Sequence, residues 1–177
     1  MVRNDYFKYT LILAVICFVA SALLGAVYSV TNPIILSQQA LQEQSGLREV
    51  LPEAKSFEAV KEGENILYFT AFGPGENVLG YVFKASKKGY SSEIATLVGV
   101  DQAGVISRVK ILSQNETPGL GTRIIEALWF QEQFRGKKSD NLSNGVQAIT
   151  GATITSRAVI SSINEKAKEI MERVHGR

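Results

Sequence analysis

Two short segments hold the residues best suited to chemistry: Glu116-Thr117-Pro118-Gly119-Leu120-Gly121 and Thr150-Gly151-Ala152-Thr153-Ile154-Thr155-Ser156. The second sets hydroxyls on a turn just ahead of an amphipathic helix. A helix N-terminus leaves backbone N–H groups unpaired and carries partial positive charge, so a phosphate placed there is stabilised by both. Gly151 and Ala152 add little bulk and let another molecule approach the backbone. Thr150, Thr155 and Ser156 are equally suited to plain capping or orienting roles. In the first segment Pro118 sets a turn and the glycines can take positive φ, which any strand-to-helix connection could need. The same geometry exposes N–H groups to a planar heterocycle, with Leu120 available to pack on its face.

The elements that must position these segments follow from pattern. Apolar, β-branched runs at 66–72 and 78–84 flank Gly73-Pro74-Gly75-Glu76-Asn77, and runs at 94–100 and 105–112 flank Asp101-Gln102-Ala103-Gly104, so both pairs read as hairpins. Ile124, Ile125, Leu128 and Trp129 recur at helical spacing after Thr122, with Phe134 near the end and Gly136 as a stop. A final helix carries the stripe Val159, Ile160, Ile163, Ala167, Ile170, Met171 and Val174, opposite Glu165, Lys166, Lys168 and Glu169. Strands arriving as hairpins rather than alternating with helices predict an α/β domain of the α+β type: a mainly antiparallel sheet packed with helices.

Ahead of that domain, residues 9–30 carry no charge, and such a stretch is long enough to cross a hydrocarbon core of roughly 30 Å as a helix. It reads as a transmembrane anchor over 9–31. A signal peptide would have a shorter apolar region ending at a small-residue cleavage site, whereas here the run continues past Ser21-Ala22 and Gly25-Ala26. Arg3 and Lys8 precede the span against Asp5 alone, and the next basic residue is Arg48, so the positive-inside rule places residues 1–8 in the cytoplasm and the domain outside. Asn32-Pro33 is expected to close the span, with Pro33 in the first turn of a linker helix that Pro52 stops. This gives a linker over 32–52 and a domain over 53–177.

Composition removes several classes of function. The formal net charge is +2 and the Lys and Arg residues are scattered, so no basic stripe marks a nucleic-acid surface. Cys17 is the sole cysteine and His175 the sole histidine, which excludes an intrachain disulfide or thiolate cluster and argues against a dedicated metal site.

Glu116-Thr117-Pro118-Gly119-Leu120-Gly121, followed by Trp129-Phe130, by Phe134-Arg135-Gly136-Lys137 and by Thr150-Gly151-Ala152-Thr153-Ile154-Thr155, resembles the membrane-anchored flavoprotein of the Rnf complex, its G subunit. The related C subunit of the sodium-pumping NADH:quinone oxidoreductase shares both motifs, and the length of this chain favours the Rnf protein. The resemblance implies FMN held covalently by a phosphodiester to the last threonine of the Ser/Thr-Gly-Ala-Thr motif, which maps to Thr153. It implies Glu116 and Thr117 near the ring, Gly119, Leu120 and Gly121 as walls, Trp129 as nearby packing, and Thr150, Gly151, Ala152 and Thr155 around the attachment point. Trp129 also reads as plain helix core. By loop position, Lys87, Lys88, Gly89 and Tyr90 border the site. The family often has aspartate six positions before the acceptor, where this chain has Gln147.

The chemistry of a flavin belongs to the cofactor, so no catalytic side chain is expected. The implied role is electron carriage in an ion-translocating ferredoxin:NAD oxidoreductase, a redox translocase of the inner (cytoplasmic) membrane. Its partners would be the other membrane subunits and, for maturation, a flavin transferase. Two other readings are consistent with parts of the pattern: an FMN-binding sensor or donor to another extracytoplasmic reductase, and a pilin-like structural protein. The pilin reading is weakened because Leu13 stands where pilins typically place a glutamate in the apolar run.

Overall fold

The computed structural model describes residues 2–63, 65–142 and 145–176, with side chains from residue 6 onward. Arg3 and Asp5, used in the charge reading of the N-terminus, therefore lie outside the described side chains. The chain forms two compact units that divide between Gln42 and Glu43.

The first unit is most of helix α1, Val2–Val50, which has Pro33 in its interior. The break expected at Asn32-Pro33 does not occur. A proline removes one intrahelical hydrogen bond and crowds the preceding turn, which kinks or breaks many helices. Here helix-forming Leu, Gln and Ala follow and the helix runs on. Its apolar side chains from Leu11 to Leu36 are exposed, and it is long and apolar enough to cross a membrane. One N-terminal apolar helix of this kind fits a membrane anchor.

The second unit is built on a five-stranded antiparallel meander in the order β1-β2-β3-β4-β5, with β1 Ser56–Glu62, β2 Asn65–Phe72, β3 Val78–Lys88, β4 Glu93–Asp101 and β5 Ile106–Ser113. Both expected hairpins are present. Strand β1 is an addition, a polar edge strand whose Ser-Phe-Glu-Ala-Val-Lys-Glu sequence carries little apolar signal.

Side-chain alternation sends the two faces of the sheet to different cores. In β3, Phe83 and Ala85 enter one core and Val82 the other; in β4, Ile94, Val98 and Val100 enter the first and Leu97 the second. The first core is closed by α4, Thr153–His175, which buries Ala158, Val159, Ile163, Ala167 and Ile170. The stripe expected for this helix is the buried one, with Ile160, Met171 and Val174 at its margin. The second core holds Leu47, Val50 and Leu51 against Ala71, Val82 and Leu97, so the last turns of α1 belong to the domain. A Cβ on Gly99 would lie 2.6 Å from the Val50 carbonyl oxygen, which shows how closely the helix end meets the sheet.

The helix expected from Thr122 is two short ones, α2 Arg123–Glu126 and α3 Leu128–Glu132, broken where Ala127 takes φ −84° and ψ 83°. The break rotates the apolar pattern. Ile124, Phe130 and Phe134 are buried, whereas Ile125, Leu128 and Trp129 are exposed. Thr122 does not cap α2; its hydroxyl accepts from the Gly119 N–H at 3.0 Å.

Candidate functional site

Pairing of Ala95 with Ser113 brings the start of β4 and the end of β5 together, so the turn 89–92 and the loop 114–122 lie at the same end of the sheet. Helix α4 packs on β3 and β4. The residue that joins these pieces is Glu116, which is 4% exposed. Its carboxylate accepts from the backbone N–H groups of Tyr90 at 3.2 Å, Ser91 at 3.0 Å and Ser92 at 2.8 Å, and from the Ser92 hydroxyl at 3.2 Å. A fifth donor, the Thr155 hydroxyl in the first turn of α4, reaches it at 2.8 Å. Burial pushes the carboxyl pKa up, but the bonds from Ser92, Thr155, Ser91 and Tyr90 outweigh it and hold the group below its ordinary 4.5.

Two glycines make room for this carboxylate. A Cβ on Gly121 would stand 2.5 Å from the Glu116 Cβ, and one on Gly89 would stand 2.6 Å from Ile94 Cδ1 and 2.8 Å from Glu116 Oε1. The Gly121 of the first motif thus lets its own Glu116 fold inward. Further bonds fasten the loop: Asn115 N–H donates to Ser92 Oγ at 2.8 Å, and the Ser91 and Thr117 hydroxyls lie 3.3 Å apart.

Beside the clamp opens a cavity of about 470 Å³ lined by Tyr90, Glu116, Thr117, Leu120, Gly121 and residues 151–155. The two motifs, separate in sequence, form its walls together. Of the predicted residues, Glu116, Thr117, Leu120, Gly121, Gly151, Ala152, Thr153 and Thr155 line it, as does Tyr90 from the bordering loop. Gly119 and Thr150 stand just outside. Gly119 takes φ +74° in the turn, and the Thr150 carbonyl accepts from Arg123 Nη1 at 3.0 Å. Trp129 does not line the cavity and is not core: it is 51% exposed, with its ring edge-on to Phe130 at 6.3 Å. The break at Ala127 turns it outward. Ile154 is a wall residue that the sequence did not single out, and its exposure sets it apart from the buried stripe of α4.

The four hydroxyls of the second motif separate by environment. Thr155 is buried and donates to Glu116, while Ser156 is buried and its Oγ accepts from the Ile149 N–H at 3.1 Å. Thr150 is exposed but outside the cavity. Thr153 is exposed, lines the cavity and is the first residue of α4, whose N-terminus no side chain caps among the described residues. The cavity lies within the roughly 300–1,000 Å³ range of cofactor sites, with apolar walls at Tyr90, Leu120 and Ile154 and anion-favouring amides at one end. A planar ring bearing a phosphate fits this donor set. Among the described residues no cluster could hold a metal ion.

Fold and site define a cofactor-binding domain, with a cavity suited to a phosphate-bearing ring, behind a long apolar N-terminal helix. A family model described as an FMN-binding domain matches residues 89–168, which span the clamp, both motifs and most of α4, and one described as the RnfG N-terminal region matches residues 1–50. The G subunit of the proton-translocating ferredoxin:NAD(+) oxidoreductase complex of Clostridium ljungdahlii is 34% identical, over 95% of this chain and 93% of its own length. The Na(+)-translocating counterpart of Acetobacterium woodii is 36% identical over 89% and 88%, and the G subunit of the ion-translocating oxidoreductase complex of Methanosarcina acetivorans 34% over 89% and 90%. The chain belongs to this family of G subunits. In fold it is similar to Shewanella oneidensis NqrC, with a TM-score of 0.50 at 18% identity, covering 70% of this chain and 74% of that one.

Proposed function

We propose that this chain is the electron-carrying G subunit of an ion-translocating ferredoxin:NAD oxidoreductase complex, with FMN joined through its phosphate to Thr153. The carrying observation is that Thr153 alone, among the hydroxyls of 150–156, is exposed, lines the cavity and opens α4. Its hydroxyl would hold the phosphate against the first-turn amides of the helix. Tyr90, Leu120 and Ile154 would flank the ring, while Gly121 and Gly151 let it approach the backbone. When bound, FMN supplies reversible electron uptake and release, and the protein supplies position and shielding. Glu116 holds the loops that make the walls. Its carboxylate already takes five hydrogen bonds, which suits it to keeping the cavity in shape more than to contacting the ring.

The partners in this reading are the other membrane subunits of the complex and a flavin transferase that attaches the cofactor. The apolar span of α1 anchors the chain in the cytoplasmic membrane, with the N-terminus in the cytoplasm and the domain on the far side. A covalent link suits that location, because a flavin lost there is not readily replaced.

In-gel flavin fluorescence after full denaturation tests the attachment, with the chain produced alongside a flavin transferase. Wild type and Thr153→Ser should give a fluorescent band and Thr153→Ala none. A band of equal strength in Thr153→Ala would sink the assignment. Recovery of the chain without any other membrane subunit, under conditions that keep such complexes whole, would count against the carrier role.

A further inference from the structure

Arg123 opens α2 and reaches back to the second motif, where its Nη1 donates to the Thr150 carbonyl at 3.0 Å. That carbonyl lies in the turn closed by the bond from Ala152 N–H to Ile149 O at 2.9 Å, and Thr153 follows directly. A guanidinium offers five N–H donors in a rigid planar fork, and the carbonyl occupies only one part of it. The side chain is exposed, and among the described residues no carboxylate pairs with it. A neutral donor would suffice to brace a carbonyl. A permanent cation tethered to the turn that leads into the uncapped α4 N-terminus, with no carboxylate in salt-bridge reach among the described residues, is matched instead to an anion at that turn.

We propose that Arg123 is a phosphate-selecting residue, which fixes the 150–152 turn and recognises the phosphate of the flavin nucleotide seated at Thr153. This rests on the FMN reading above and adds a specificity determinant to it. The group recognised is the phosphate ester and not the ring, so Arg123 distinguishes FMN from riboflavin.

The test is equilibrium binding to the full-length chain in detergent, made without a flavin transferase and carrying Thr153→Val so that no covalent product forms. FMN and riboflavin are titrated separately by fluorescence quenching. The Thr153→Val chain should prefer FMN, and the preference should shrink as salt rises. Adding Arg123→Gln should weaken FMN binding by about tenfold and leave riboflavin unchanged, while Arg123→Lys should keep part of the preference. Equal weakening of both ligands would reduce Arg123 to a brace for the turn, and an unchanged FMN preference would remove it from the site; either overturns the proposal alone. Failure of the Thr153→Val chain to bind FMN more tightly than riboflavin would also overturn the proposal, whereas the FMN reading itself stands or falls on the in-gel fluorescence of the wild-type and Thr153→Ala chains.

Discussion

Glu116 and Thr155 lie 39 residues apart and are joined by a buried hydrogen bond of 2.8 Å, so the loop after β5 is tied directly to the first turn of α4. Thr155 follows the proposed attachment residue by two positions. Whatever loosens Glu116 therefore loosens both walls of the cavity. Glu116→Gln keeps one acceptor oxygen but brings an NH₂ against backbone donors, and removal of a charged acceptor from such a cluster costs about 2 kcal/mol. Denaturant unfolding should show that loss, and in-gel fluorescence a smaller fraction of chain carrying FMN. Thr155→Val, which removes one donor of five, should cost less than Glu116→Gln.

The same carboxylate sets an acid limit on stability. Its pKa in the folded protein is below the ordinary 4.5, so the unfolded chain binds the proton more readily. The stabilisation is fully present above the unfolded value and is lost as pH falls through the folded one. The stability difference between wild type and Glu116→Gln should be constant from neutrality down to about pH 5 and then shrink as the medium is acidified further. Chemical denaturation at a series of pH values reads this directly, and a difference that grew toward acid would contradict the assignment of Glu116 as the ionised centre of the clamp.

Glycine positions in the first motif should differ in what they tolerate. Gly121→Ala drives a methyl into Glu116, 2.5 Å from its Cβ, and overpacking of this kind costs about 1–3 kcal/mol. Gly119 takes φ +74° with nothing within 4 Å of an added Cβ, so Gly119→Ala should cost only the backbone strain of about 1–2 kcal/mol. The two should also separate in cofactor loading. Gly121→Ala displaces the clamp and should lower the fraction of chain that carries FMN when produced with a flavin transferase, whereas Gly119→Ala should load normally once stability is restored by lower temperature.

The local elements were largely legible in the sequence because they write themselves in side chains. Turn residues marked the two hairpins and a period near 3.6 marked α4, while a site shared by the two motifs came from the family resemblance and not from the local pattern. What stayed hidden depends on backbone groups or on distant packing. The donors to Glu116 are mostly the N–H groups of residues 90–92, which leave no trace in residue type. The break at Ala127 follows from burial of Phe130 and Phe134, whose spacing from Ile124 fits no single helix face. Strand β1 has no fully buried residue, so its sequence carries little of the apolar alternation that marks a strand.

Trp129 illustrates that break and yields its own expectation. It stands 51% exposed and outside the cavity wall, with its ring edge-on to Phe130. Trp129→Ala should cost about 1 kcal/mol, the value of one such aromatic contact, and leave the FMN content of the purified protein unchanged. Phe130→Ala, at a fully buried position, should cost about 3–5 kcal/mol. Loss of flavin in Trp129→Ala at unchanged stability would return the residue to the site.

Helix α1 serves both units, and its end can be tested by truncation. Leu47, Val50 and Leu51 are 6%, 0% and 7% exposed and supply the helix side of the second core. Burial of each contributes about 1.5–3 kcal/mol, so removing all three costs at least about 5 kcal/mol. Domains of this size hold about 5–15 kcal/mol in total. A chain starting at Glu43 retains the three side chains and omits the apolar stretch over 9–31, and should fold cooperatively without detergent. A chain starting at Glu53 has the same sheet and the same α4 but leaves Ala71, Val82 and Leu97 uncovered. It should unfold at markedly lower denaturant or aggregate. Equal midpoints for the two truncations would mean that the sheet does not need the helix end, and would restore Glu53 as the start of the domain.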